Sequence, residues 1–66
     1  MEYSLTPAEN IRKSLGVGFE EFSFRIGYSH ASYRIAFERG YLTKRMAREI
    51  ARRYKLSMSD FTRDGK

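Results

Sequence analysis

Apolar positions recur along this chain at helical spacing, in short runs punctuated by glycine. Behind Thr6-Pro7, the residues Ala8, Ile11 and Leu15 share one face, which predicts a first helix with Thr6 as cap, Pro7 at the first helical position and Glu9 completing a capping box. Gly16 suits the left-handed turn that ends such a helix. Phe19, Phe22 and Ile26 predict a short second helix up to Ile26, closed by Gly27. Ser29 caps a third helix over about His30 to Arg39, with Tyr33, Ala36 and Phe37 inward and Gly40 at its end. Thr43 caps a fourth, to about Lys55, whose Met46, Ala47, Ile50, Ala51 and Tyr54 form the clearest apolar stripe in the chain. A capping box at Ser57-Met58-Ser59-Asp60 opens a last short segment holding Met58 and Phe61, and the polar stretch Thr62 to Lys66 is expected to fray. No run alternates strictly between apolar and polar residues, so strands are not expected. The pattern predicts an all-α fold, a single compact bundle of about five short helices with its ordered part over residues 6–61.

At 66 residues the chain buries only about 60% of the surface its unfolded form exposes, so its core is thin. It has no cysteine, and its one histidine, His30, has no second imidazole to share a metal with, so neither disulfides nor zinc are expected to staple it. Stability is left to helix packing, helped by dimerisation. No uncharged stretch approaches the roughly 20 apolar residues of a membrane span, and Met1 to Thr6 lacks the regions of a signal peptide, which points to a cytoplasmic protein. Catalysis is not expected either. Glu20-Glu21 diverge on a helix and suit its positive N-terminal end, and no nucleophile-base pair can be nominated. Neither a cofactor nor a small-molecule substrate is implied.

Charge sharpens the picture. Residues 1–24 hold four acidic and two basic side chains, net −2, whereas residues 25–66 hold eleven basic against four acidic, net +7. A basic excess confined to one part of a small domain suits a polyanion binder. Lys44 and Arg45 open the fourth helix, where the dipole makes cations unfavourable by about 0.3–1 kcal/mol. Cations set against a dipole suggest an outside anion, a phosphate met by free backbone N–H groups, Thr43, Lys44, Arg45 and the preceding Arg39 and Tyr41. Arg48, Arg52, Arg53 and Lys55 read instead as a solvated face and as partners of the helix C-terminus, with Glu49 placed to pair with Arg45 or Arg53. The phenylalanines read as core, except Phe24, which is turned about 200° from Phe22 on a helix. With Met58 and Phe61 it is a candidate dimer interface.

The informative unit is Phe19 to Arg39: a short helix, a glycine-containing turn of about four residues, and a second helix with serine at its start. Phe22 and Ile26 at buried positions, Gly27 in the turn, then Tyr28 and Ser29, followed by Tyr33, Ala36 and Phe37, are the marks of a DNA-binding helix-turn-helix. With Ala47-x-x-Ile50-Ala51 and Leu56 to Phe61, the chain resembles the phage repressor and Cro family over about Thr6 to Phe61. It departs from that family at Tyr33, usually a smaller aliphatic residue, at Ser23, usually alanine, and at Gly40, which falls about one residue late.

The resemblance implies a lambda repressor-like fold, double-stranded DNA as partner, a homodimer on DNA, and a third helix lying in the major groove. Base contacts then fall to Ser29, His30, Ala31, Arg34 and Ile35, with Glu38 at the margin, and Ser32 joins the phosphate contacts. Arg34 can span O6 and N7 of guanine, and Ala31 and Ile35 suit thymine methyls. The alternative is a helix-turn-helix module that binds protein or RNA. A membrane-surface role for the basic amphipathic stretch Thr43 to Lys55 conflicts with the need of the other helices for that same stripe.

Overall fold

The computed structural model describes residues 3–62. Within them lie α1 (Thr6–Leu15), α2 (Phe19–Arg25), α3 (Ser32–Arg39), α4 (Lys44–Tyr54) and a closing 3-10 turn at Met58–Phe61. The all-α class holds, with four α-helices and one 3-10 turn where about five helices are expected. Residues 63–66, most of the segment expected to fray, lie outside the described residues, but Thr62 is ordered. Its backbone forms an antiparallel bridge with Tyr3, and Tyr3 forms a second one with Leu42.

The apolar stripes of the four helices meet in one core: Ala8 from α1, Phe22 and Ile26 at α2, Tyr33 and Ala36 from α3, and Met46, Ala47, Ile50 and Ala51 from α4. Removing these surfaces from water is the main force holding the bundle together. Tyr3, Leu42 and Phe61 close the core from the chain ends and the α3–α4 loop. Leu15 and Phe37, both expected inward, are each 41% exposed. Leu15 sits a full turn past Ile11, the last α1 side chain packed on the core, and Phe37 lies at the rim with its ring 4.7 Å from that of Phe19.

Two helix starts differ from the sequence reading. In α1, Leu5 is the N-cap and already helical, because the Thr6 N–H donates to Ser4 Oγ (3.1 Å) and Ser4 is itself tied to the Phe61 carbonyl. The Thr6–Glu9 capping box therefore does not form. The Glu9 carboxylate accepts two bonds from Arg12 (2.9 and 2.8 Å) and one from the Tyr33 hydroxyl (2.7 Å). The bond from Tyr33 joins α1 to α3.

The start of α3 is also displaced, from His30 to Ser32, and Ala31 rather than Ser29 is its N-cap. The cause is Ser23 on α2, a buried polar side chain whose Oγ accepts the Tyr33 N–H at 2.8 Å. In a helix starting at His30 that N–H would pair with the Ser29 carbonyl. Instead the Ser29 carbonyl accepts from Ser32, and residues 29–32 form a turn. Ser23→Ala removes the acceptor and leaves a buried donor, so it is expected to cost about 1–3 kcal/mol. A lower denaturant midpoint at unchanged slope, with faster exchange of the Tyr33 amide, checks it.

The turn between α2 and α3 is braced from α4. The Arg53 guanidinium donates to the Arg25 carbonyl (3.2 Å), one of the orphan acceptors at the α2 C-terminus. It also bonds Glu49 at 2.6 Å. Arg53 thus serves the end of α2 as well as its own helix. Gly27, at φ +80°, lies directly beneath it: a Cβ there would come within 2.9 Å of an Arg53 nitrogen.

Candidate nucleic-acid interface

Tyr33 and Ala36 face the core, so the helical period turns Arg34, Ile35 and Glu38 to solvent. This outward ridge of α3 carries an apolar residue, Ile35, that is 55% exposed. Arg34 and Glu38 form an ion pair along it, Nε to carboxylate at 3.1 Å, with both side chains more than half exposed. Ser29 and His30 lie exposed in the turn before the helix, while Ala31 and Ser32 at its start are half-buried.

Two depressions flank the ridge. One is polar and gathers Tyr28, Ser29 and Ser32 from the α2–α3 side with Arg45, Glu49, Arg52 and Arg53 of α4. The hydroxyls of Ser29 and Ser32 are 2.9 Å apart. Three arginines against one carboxylate make this depression cationic, and Glu49 is already engaged. A hydrogen bond from Arg53, joined by one from Arg52, holds its carboxyl below the usual range. Of the two partners open to Glu49 in the sequence, it takes Arg53 and leaves Arg45 aside. Neither Lys44 nor Arg45 forms an ion pair with a described carboxylate.

The second depression lies toward the start of α2 and gathers His30, Ala31, Arg34, Phe37 and Glu38 with Phe19 and Glu20. It is the acidic and aromatic side of the ridge. The structure therefore divides the base-contact candidates. Ser29 faces the cationic side, whereas His30, Ala31 and Arg34 face the other.

Among the phosphate candidates, Ser32 and Arg45 share the cationic depression. Thr43 caps α4, its Oγ1 accepting the Met46 N–H at 3.2 Å, which leaves the hydroxyl hydrogen free to donate. Lys44 and Arg45 follow at the first two helical positions, both exposed. Arg39 and Tyr41 form a separate unit in the α3–α4 loop, the guanidinium 4.6 Å from the ring centre. Tyr28, read from sequence as part of the helix-turn-helix pattern but not as a contact, lines the cationic depression. Burial pushes its phenol up, against the pull of nearby Arg45. Its position directly after the turn glycine was the signal available.

The three candidate dimer residues do not form one exposed patch. Phe61 is fully buried in the core, Met58 is half-buried against it, and Phe24 is 60% exposed. Phe61 closes the end of the bundle because the 3-10 turn folds back under α1 and α4. Among the described residues, no helix is long and apolar enough to cross a membrane.

No family model matches the chain, and neither a curated protein nor a solved structure matches it.

Proposed function

We propose that this chain is a sequence-specific double-stranded DNA-binding regulator of the repressor/Cro kind, acting in the cytoplasm of a bacterial or phage-infected cell. The supporting observation is the outward ridge of α3, bordered on one side by a depression where Ser29 and Ser32 meet Arg45, which pairs with no described carboxylate. A duplex seated on that ridge receives Arg34 at a guanine edge and Ile35 against a thymine methyl. One phosphate strand then runs toward the start of α4, where Lys44, Arg45, the Thr43 hydroxyl and free backbone N–H groups await it. Two copies bind a symmetric site, and exposed Phe24 is the remaining apolar candidate for their contact.

Selection of bound duplexes from a random pool, followed by binding at two salt concentrations, tests this. Arg34→Ala is expected to cost about 1–3 kcal/mol of discrimination at one base pair. Lys44→Ala is expected to weaken all duplexes alike and to lower the salt slope by about 1. Recovery of no preferred duplex would refute sequence-specific binding. The second reading, a protein-binding module, is favoured by the exposed Ile35 and Phe37 on the same helix. It predicts an association that barely responds to salt, opposite to phosphate binding.

A further inference from the structure

We infer that Glu38 is a specificity-determining residue that positions Arg34, so that the pair rather than the arginine alone reads the base; this rests on the DNA-binding reading above. Glu38 is a carboxylate in the middle of a surface that would face phosphates and base edges. An unpaired carboxylate there repels DNA. Its one described partner is Arg34, four residues earlier, bonded through Nε at 3.1 Å. In water such an exposed pair contributes little, because solvent screens it and two long side chains lose freedom.

Docking changes that balance. Once water leaves the groove, a carboxylate without a partner becomes costly, and the Arg34–Glu38 bond has to persist. Holding Nε on Glu38 fixes the plane of the guanidinium and leaves its two terminal nitrogens to face outward, the fork that matches O6 and N7 of guanine. A base that does not accept from that fork leaves the terminal nitrogens of Arg34 desolvated and without acceptors, because Glu38 keeps the guanidinium from turning away. The pair thus penalises wrong bases as well as rewarding the right one. Glu20, across the aromatic side of the ridge, lines the same depression and adds to the local negative charge. Of the two basic side chains lining the depression, His30 and Arg34, it is Arg34 that is paired with Glu38.

The test compares full-length Glu38→Gln and Glu38→Ala with the wild type on the selected duplex and on duplexes altered at the base pair that Arg34→Ala makes indifferent. Glu38 is exposed, so both variants are expected to fold, which thermal melting checks. Each removes a negative charge and is expected to tighten binding to every duplex. The amide oxygen of glutamine still accepts from Nε, so Glu38→Gln is expected to keep discrimination at that base pair. Alanine cannot accept, and its discrimination is expected to fall about tenfold, within the range of a good bidentate contact. If Glu38→Ala discriminates as well as the wild type, Glu38 acts only by repulsion and the inference is overturned. Failure of the wild-type chain to prefer any duplex removes the underlying reading as well, so the two failures are told apart.

Discussion

Phe61→Ala is expected to destabilise the chain by about 3–5 kcal/mol, the usual loss for truncating a buried phenylalanine. The ring has no exposed surface and sits where the closing 3-10 turn meets the core, so its removal leaves a cavity flanked by α1 and α4. A domain of this length has a total stability of roughly 3–10 kcal/mol, which makes the loss about a third of it or more. Thermal melting would register a fall of at least about 12 °C, at roughly 4–8 °C per kcal/mol for a domain of this size. The same melt at several protein concentrations separates a core residue from an interface residue. Loss of a dimer contact gives a concentration-dependent shift, whereas a core cavity does not. Phe24→Ala, removing a ring that is mostly exposed, is expected to change stability by no more than about 0.5 kcal/mol.

Tyr33 is the second position where a single change has a large effect. Its ring stands edge-on to Phe22 with centroids 4.7 Å apart, its hydroxyl reaches Glu9, and its backbone N–H reaches Ser23. Tyr33→Ala is expected to cost about 3–5 kcal/mol, by loss of the buried ring. Tyr33→Phe keeps the ring and removes only the hydroxyl, for an expected loss of about 1.5–3 kcal/mol because the acceptor is charged.

The pH dependence distinguishes the hydroxyl from the ring. Burial, aided by the bond to Glu9, pushes the Tyr33 phenol above its ordinary value of 10.0. The unfolded chain therefore loses this proton first as pH rises. The resulting stability is fully present below about pH 10 and declines above it. Tyr33→Phe is expected to flatten that alkaline decline, leaving a smaller one from Tyr28, whose phenol burial also raises. Glu9 has the opposite sign. The Arg12 hydrogen bond holds its carboxyl below 4.5, so its contribution is present above that pH and is lost as pH falls through the folded value. Arg12 remains in Tyr33→Phe, so the acid decline is expected to persist. Urea melts across pH 3–11 would show both arms, and an unaltered alkaline arm in Tyr33→Phe would refute the assignment to Tyr33.

How well the sequence foretold the structure depends on how local each cause was. The α4 helix was legible almost to the residue, since its stripe runs over three turns and Thr43 caps it with its own side chain. The glycine at the end of α1 and the box at Ser57–Asp60 were legible for the same reason: each is settled within four residues. The start of α3 was not, because it is decided by Ser23, ten residues away in sequence and adjacent only after folding. Nor could periodicity show whether Phe61 faced the interior or a second copy, as both surfaces select the same apolar residue. The bridges at Tyr3 left no alternating pattern, because each paired segment is a single residue long. For the candidate site, the exposed positions Arg34 and Ile35 followed from helical period alone. The pairing of Glu49 with Arg53, which leaves Arg45 uncommitted, required the packing of α4 against the turn.

The placement of Arg53 over Gly27 restricts how this sequence can drift. The guanidinium occupies the volume that any side chain at position 27 would enter, and φ there disfavours one in any case. A side chain at position 27 therefore displaces the Arg53 guanidinium, the flexible end of its side chain, from its place over the turn. A descendant with asparagine at 27, the residue that tolerates a left-handed backbone best after glycine, is compatible only with a shorter or redirected side chain at 53, and the α2 carbonyl of Arg25 must then find a new donor.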